Sequence, residues 1–448
     1  MSNHTSDRKY LEAARRIFTH LAETADANVS IRLWDGSYIP LGDNASEQWN
    51  ISIKGPGVLG AILRWPTLEN LLRQYASGNI DFNGGDLIDF YEVLRSRGSR
   101  TKGVSSDQIK KRLNKWYLLR QALPLLFAKN IDTELNHRFR GDDSGRMQSA
   151  RDEKSFIQFH YDLSNDFYRL FLDPEMLYSC GYFTSWEQDL EQAQQNKLNM
   201  ICRKLRLQPG DRFLDIGCGW GGLLCHAVRH FKVIGHGVTL SQKQYDFALE
   251  KIRRMGLADR ITLELRDYRE IEGEYDKIAS IGMYEHIGIA NYSVYFKKLN
   301  ALLRDRGMIL NHGITRRAKQ SKQKFARITP GRRFILKYIF PGSELDHIGH
   351  TLSKMEACGF EVHDVEAWRE HYAQTTRLWC RRLESNKEEA IALVGKERYR
   401  MWIAYLAGVS YAFQDGSLRI FQTVAIKHSR KGPSTMPPTR EHLYLEGA

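Results

Sequence analysis

Long apolar runs are missing from this chain. No stretch approaches the roughly 20 consecutive apolar residues of a transmembrane helix, and the N-terminus Met1-Ser2-Asn3-His4-Thr5 lacks the charged and then apolar segments of a secretory signal. The expectation is a soluble, cytoplasmic protein. Cysteine is scarce: Cys180, Cys202, Cys218, Cys225, Cys358 and Cys380 are scattered, with no C-x-x-C pair and no nearby His-x-x-x-His. That spacing argues against structural zinc and against a disulfide framework, so reduced thiols and no metal are expected. Internal repeats are absent too, and no RNP-type aromatic motif marks an RNA-recognition domain.

What the chain does have is length and positive charge. At 448 residues it exceeds a usual single domain, and two domains are the default. Its formal net charge of +13 raises the local concentration of any polyanion, nucleic acid or anionic membrane alike. One segment narrows the choice. From Arg316 to Lys337 there are nine Lys/Arg and no acid, interleaved with Phe325, Ile328, Phe334, Ile335 and Leu336. A solvated charged face is one explanation, but basic residues mixed with large apolar ones also suit a segment lying among lipid headgroups.

Hydrophobic spacing gives a small N-terminal α+β domain. Leu11, Ala14, Ile17, Phe18 and Leu21 predict a helix over about 8–25. Short alternating runs at 29–34 and 37–41 flank an Asp35-Gly36 hairpin signal, a second strand pair is predicted over 49–64, and helices over 67–75 and 87–94. Basic residues crowd 95–115 before a helix to about 129. The polar run Gly141 to Arg146 reads as an interdomain linker, which puts the domains at 1–145 and 146–430. From about Gly210, strands at 212–216, 232–238, 261–265, 277–281 and 307–311 alternate with helical stretches, the pattern of a doubly wound, mostly parallel sheet. Segments 360–365 and 417–426 could supply closing strands, and 401–413 reads as an aromatic-rich core helix. The tail after Lys427, with Pro433, Pro437 and Pro438, is expected to be extended or flexible.

The run Phe213-Leu214-Asp215-Ile216-Gly217-Cys218-Gly219-Trp220-Gly221-Gly222 carries an apolar strand into a D-x-G-x-G turn where a helix begins. Glycines let the backbone approach a ligand without a Cβ clash and expose N–H groups, and Asp215 sits at the carboxyl end of the first strand, where open α/β sheets bind ligands. The spacing is neither the dinucleotide G-x-G-x-x-G nor the P-loop, since no Lys follows the glycines. It resembles motif I of S-adenosylmethionine (SAM)-dependent methyltransferases. The strand ends then bring Asp215, Thr239, Asp267, Glu285 and His312 to one sheet edge.

Further motifs extend the match: His160-Tyr161-Asp162-Leu163-Ser164-Asn165-Asp166-Phe167-Tyr168, Tyr178-Ser179-Cys180-Gly181-Tyr182-Phe183, Val238-Thr239-Leu240-Ser241 with Gln244, Met283-Tyr284-Glu285-His286-Ile287-Gly288, His312-Gly313-Ile314, Tyr338-Ile339-Phe340-Pro341-Gly342 and His371-Tyr372-Ala373-Gln374-Thr375. In this order, over about 150–428, they resemble the cyclopropane-fatty-acyl-phospholipid synthase family, which includes the mycolic acid cyclopropane synthases. The resemblance implies an α/β class I SAM-dependent methyltransferase domain, Rossmann-like with a mostly parallel sheet, and a smaller N-terminal α+β domain for lipid docking or dimer formation.

The implied reaction sends the methyl of SAM to a cis double bond of a phospholipid acyl chain and closes a cyclopropane ring after bicarbonate-assisted deprotonation. By resemblance, Cys180, Glu285, His312, Tyr372 and the backbone N–H of Ile314 would hold the bicarbonate. Taken singly, Cys180 reads as a small core residue and Tyr372 as structural, Glu285-His286 reads equally well as an ordinary helix start, and His312, at a strand end beside the crevice, favours function over a satisfied core histidine. SAM would be held by Asp215, Gly217, Gly219, Trp220 and Gly221 of the turn, with Thr239, Leu240, Ser241 and Gln244 at the ribose, Asp267 and Tyr268 flanking the adenine, and Tyr178 and Ser179 closing over the methionine end. The implied partners are unsaturated phospholipid acyl chains, an anionic membrane surface that the protein meets peripherally on its inner face, and a second copy in a homodimer, with no nucleic acid. Gly181 and Gly313 stand where relatives often carry Ala and Thr, so extra room is expected beside the bicarbonate. That room could move the site of proton loss and give methyl- or methylene-branched chains instead of a ring. A basic RNA methyltransferase and a non-enzymatic lipid-binding protein are the alternatives from other classes.

Overall fold

The computed structural model describes residues 2–96, 113–131, 133, 156, 163–430 and 432–444. The expected linker at 141–146, most of the basic stretch 95–115 and the motif residues His160, Tyr161 and Asp162 lie outside the described residues. The chain divides into two compact units, one of Met1–Arg138 with Thr329–Phe334 and Lys387–Ala407, the other of Phe139–Ile328 with Ile335–Asn386 and Gly408–Ala448. The first unit thus takes in two later stretches, beyond the single boundary expected near 145.

In the first unit β1 (Val29–Arg32), β2 (Tyr38–Pro40), β3 (Ser46–Ile53) and β4 (Ile80–Asn83) form a sheet in the order β2-β1-β3-β4, with β1 and β3 parallel and the outer pairs antiparallel. Val29, Ile31, Val58, Phe90 and Leu125 form the centre of its core. Only the first half of the strand pair expected over 49–64 is a strand. The second half is the helix Pro56–Arg64, with Pro56 in its first turn after Gly55. Proline suits that position because its φ is already helical and its missing N–H would have had no helical partner.

The second unit is built on β5 (Arg212–Ile216), β6 (Ile234–Thr239), β7 (Ile261–Leu265), β8 (Tyr275–Ile281), β9 (Leu303–Arg316), β10 (Phe360–Ala367) and β11 (Leu418–Lys427), in the order β10-β11-β9-β8-β5-β6-β7. Strands β5 to β9 pair in parallel, and β11 and β10 close the edge antiparallel. Because β5 lies between β6 and β8, the connections leave its carboxyl end in opposite directions, which opens a crevice there. The core flanks the sheet on both faces, with Phe213, Leu224 and Ile252 on one side and Ile216, Tyr292 and Phe296 on the other.

Two expectations are corrected here. Strand β9 runs well beyond the expected 307–311, because β11 pairs along it from Arg316↔Leu418 to Met308↔Ile426. His312 is therefore inside a strand, in register with Ile281 at the end of β8, and does not itself end one. The tail expected to be extended or flexible packs back on the sheet: Arg440 pairs with Asp364 of β10 at 2.6 Å, Arg203 donates to the Leu443 carbonyl at 3.2 Å, and Leu443 is buried.

Among the described residues no helix is long and apolar enough to cross a membrane. The basic segment 316–337 includes the helices Lys322–Ala326 and Pro330–Tyr338. Arg317, Lys319, Lys324 and Arg327 are exposed, but Phe334 and Leu336 are buried, so only part of its apolar content faces solvent.

Candidate active site

At the carboxyl ends of β5, β6 and β8 lies a cleft of about 1000 Å³, its open mouth included. Its size suits a nucleoside-sized ligand. The turn after β5 forms one wall, and Gly217, Gly219 and Gly221 there have φ of +73°, +55° and +79°, a region that side chains other than glycine rarely adopt. A Cβ on Gly219 would project into open space, whereas one on Gly217 would come within 3.0 Å of Met283, which also lines the cleft. The turn is less open to ligands than its sequence suggested. The N–H groups of Gly217 and Cys218 both donate to the Val238 carbonyl, at 2.9 and 3.0 Å, and that of Gly221 donates to Cys218 at 2.9 Å.

Most of the residues expected at a SAM site meet here. Tyr178, Ser179, Asp215, Gly217, Gly219, Trp220, Thr239, Leu240, Gln244 and Tyr268 line the cleft. Trp220 is fixed by donating to Asn165 at 2.8 Å. Thr239 donates through its hydroxyl to Gln244 Oε1 at 2.9 Å, which leaves the Gln244 NH₂ free to serve a hydroxyl acceptor.

Three expected residues are not on the wall. Ser241 caps the helix Gln242–Arg254 through the Gln244 N–H, Gly221 packs against Ala248, and Asp267 turns back to pair with Arg269 at 2.7 Å. The wall also holds residues that the motifs did not single out for binding SAM, including Lys197, Arg266, Met283 and His286. Lys197 falls on the buried row of its helix with Leu190, Ala193, Gln194 and Ile201, so a charged residue on an apolar helical stripe was the available signal.

Charges inside the cleft are poorly solvated. Burial pushes the Asp215 carboxyl up to about 7, against the pull of Lys197. Burial likewise pushes the Lys197 ammonium down to about 8, against Asp173, Cys180 and Asp215.

A second polar cluster stands beside the crevice, between β8, β9 and β11. Glu285 follows β8 in a single turn of 3₁₀ helix, Tyr284–His286, and its Oε1 accepts the Ile314 N–H at 2.6 Å. Burial raises its carboxyl to about 7, even though that hydrogen bond favours the ionised form. His312 pairs across β9 and β11 with Gln422, whose Nε2 lies 2.9 Å from His312 Nδ1. In the assigned orientation of that amide, Nδ1 accepts and the ring proton sits on Nε2. Burial drives the His312 pKa well below the usual value, so the ring is neutral.

Glu285 Oε2 and His312 Nε2 are both buried and have no partner among the described residues. Trp368 joins the remaining expected residues. Its ring meets His312 edge-on at 5.3 Å, its carbonyl lies 3.7 Å from Cys180 Sγ and accepts the Tyr372 N–H at 3.0 Å. The Cys180 thiol is wholly buried, and burial holds its pKa well above the ordinary range. Trp368 belonged to none of the motifs, and its hub position arises only from packing.

The room expected beside Gly181 and Gly313 is already filled. A Cβ on Gly313 would fall 1.9 Å from the Tyr284 ring, and one on Gly181 would meet Ala193 at 3.2 Å and Thr375 at 3.4 Å. Neighbouring side chains have taken the volume.

A mostly parallel sheet with its switch-point cleft, glycine turn and an amide on the cleft wall makes this unit a class I SAM-dependent methyltransferase. Solved structures agree: the cyclopropane synthase MmaA2 from Mycobacterium tuberculosis aligns at 33% identity and a TM-score of 0.59, covering 62% of this chain and 100% of that one. The mycolic acid cyclopropane synthase CmaA1, solved with SAH and CTAB, aligns at 35% identity and a TM-score of 0.58 over the same shares. The chain belongs to the mycolic acid cyclopropane synthetase family, matched over residues 148–423. A relative in Pseudomonas putida named "Probable fatty acid methyltransferase" is 36% identical over 92% of this chain and 95% of its own length. Cyclopropane mycolic acid synthase 1 of Mycobacterium tuberculosis is also 36% identical, over 59% of this chain and 94% of its own. The protein is thus a SAM-dependent enzyme of lipid modification.

Proposed function

We propose that the protein methylates a cis double bond in a phospholipid acyl chain and closes a cyclopropane ring, with bicarbonate as the base at Cys180, Glu285, His312, Tyr372 and Ile314. The observation that carries this reading is the pair of buried atoms Glu285 Oε2 and His312 Nε2, both without a partner among the described residues. They stand on segments whose neighbours Ile281, Met283 and His286 line the SAM cleft. The residues fit a small oxyanion. His312 Nε2–H is a donor in need of an acceptor, and the Glu285 carboxyl, near 7, can donate or accept. The Ile314 N–H would be shared with Glu285, which holds it in this structure.

An alkene is a poor nucleophile with no proton to lose beforehand. Bound SAM supplies the methyl group: its C–S bond breaks toward sulfur as a C–C bond forms, leaving positive charge on the second alkene carbon. Trp368, edge-on to His312, and Tyr372, packed with Trp379 and Phe413, would keep water from that charge. Neutral His312 adds no like charge, and ionised Glu285 stabilises the cation. Bound bicarbonate supplies the base for a proton of the new methyl group, and the electrons of that C–H bond close the ring.

The exposed cations Arg317, Lys319, Lys324 and Arg327 support binding of the protein to the anionic bilayer that contains such a substrate. Replacing Lys319, Lys324 and Arg327 by Gln should weaken binding to anionic vesicles, and equal binding at low salt would make the segment merely solvated. The homodimer remains part of the reading, and sedimentation equilibrium tests it.

The Pseudomonas putida relative supports a second reading, a fatty-acyl C-methyltransferase that leaves a methyl or methylene branch. One experiment separates the two. The protein is incubated with methyl-deuterated SAM and vesicles of cis-monounsaturated phospholipid, and the released fatty acids are weighed before and after mild hydrogenation. A product that keeps two deuteriums and resists hydrogenation is a ring. One that is reducible, or keeps three, is a branch.

A further inference from the structure

The helix Leu190–Lys204 carries a charge that the described residues leave incompletely bonded. Lys197 is 1% exposed, yet its side chain lines the SAM cleft. Its Nζ donates to Ser179 Oγ at 2.8 Å, and among the described residues no carboxylate lies within ion-pair distance of it. Asp173 and Asp215 act on it only as nearby charges. An ammonium has three donors, so two remain for another acceptor, and a buried charge is costly until it finds one.

Ser179 is held in the same arrangement. Its Oγ accepts from the ammonium, which directs the hydroxyl proton elsewhere, and Ser179 also lines the cleft. One turn earlier on the helix, Gln194 donates to the carbonyls of Leu177 and Ser179, at 3.3 and 3.0 Å. The main chain at Ser179 is thereby fixed from the helix that carries Lys197. A charged donor and a polarised hydroxyl side by side on a cleft wall form a receptor for a carboxylate.

We propose that Lys197, with Ser179 oriented by it, binds the α-carboxylate of the amino-acid end of SAM, so that this wall reads the amino acid and not the nucleoside. The inference rests on the cleft being the SAM site. On the purified full chain, titration calorimetry would compare S-adenosylhomocysteine with 5′-methylthioadenosine, which keeps the nucleoside and sulfur but has no amino acid. Lys197→Met should weaken S-adenosylhomocysteine by roughly tenfold or more, the size of a charge-assisted hydrogen bond, and leave methylthioadenosine within about twofold. Equal weakening of both ligands, or no change in either, would overturn the proposal.

Should Lys197→Met fail to fold, the wild type decides. The decarboxylated analogue 5′-(3-aminopropyl)thioadenosine should bind at least about tenfold more weakly than S-adenosylhomocysteine, and equal affinity overturns the carboxylate role. Wild-type protein that binds neither S-adenosylhomocysteine nor methylthioadenosine would instead remove the SAM assignment of the cleft.

Discussion

The two halves of the catalytic sheet are built on different principles. On the β5–β7 side, wall residues such as Asp215, Gly219, Thr239 and Gln244 lie in or close to the strand-to-helix connections after β5 and β6. On the β8–β11 side the cluster comes from distant parts of the chain. Cys180 meets Trp368 across 188 residues, and His312 meets Gln422 across 110. On the proposed reading, the first half is a local device for holding a cosubstrate. The second exists only when remote elements pack, so a change there should spare SAM binding and strike turnover, while a change in the first half should do the reverse.

The largest effect should come from His312→Ala, with kcat falling about 10²–10⁴-fold and S-adenosylhomocysteine affinity, read by calorimetry, staying within about threefold. Joint loss of both would break the division. Next, Gly217→Val combines a φ of +73° with a contact to Met283 at 3.0 Å, and SAM affinity should drop at least about tenfold, a penalty of 1.4 kcal/mol or so. Unchanged affinity would remove the turn from the binding site. Gly313→Ala places a methyl in the Tyr284 ring and should lower stability to denaturant by about 1–3 kcal/mol.

The most gradual effect concerns pH. Burial raises Glu285 from 4.5 to about 7, so between those values the folded protein holds a proton that the unfolded chain has released. That contribution to stability is complete below about pH 4.5 and is lost as the pH rises through 7, at no more than about 1.4 kcal/mol per pH unit. Glu285→Gln removes it, and its melting temperature relative to the wild type should climb from pH 5 to pH 8. A flat difference would mean that Glu285 is ionised throughout.

How much could be read beforehand follows the same division. The strands β5 and β7 have their expected bounds, because a buried parallel strand between turn signals is a local pattern. The helix at Pro56 was mistaken for a strand because alternation outweighed proline, although Pro56 marked a helix start. Residue types at the polar cluster were legible through the motifs of Glu285 and His312. The packing of His312 against Trp368 and its pairing with Gln422 were not, since nothing in a single sequence encodes the register of β9 against β11. Lys197 stood in plain view, but its burial depends on the helix docking against the sheet. The apparent vacancy at Gly313 was misjudged for the same reason: the ring that fills it comes from Tyr284, 29 positions earlier.

That ring has a bearing on how the family diversifies. With Tyr284 where a side chain at 313 would otherwise project, the two positions share a single volume, and neither can be altered on its own merits. A lineage moving from glycine to threonine at 313 must pass through an overcrowded intermediate, or first through a hollow one with Tyr284 reduced. The pair is therefore expected to be inherited together, and the effect of any one replacement depends on the genetic background in which it arises.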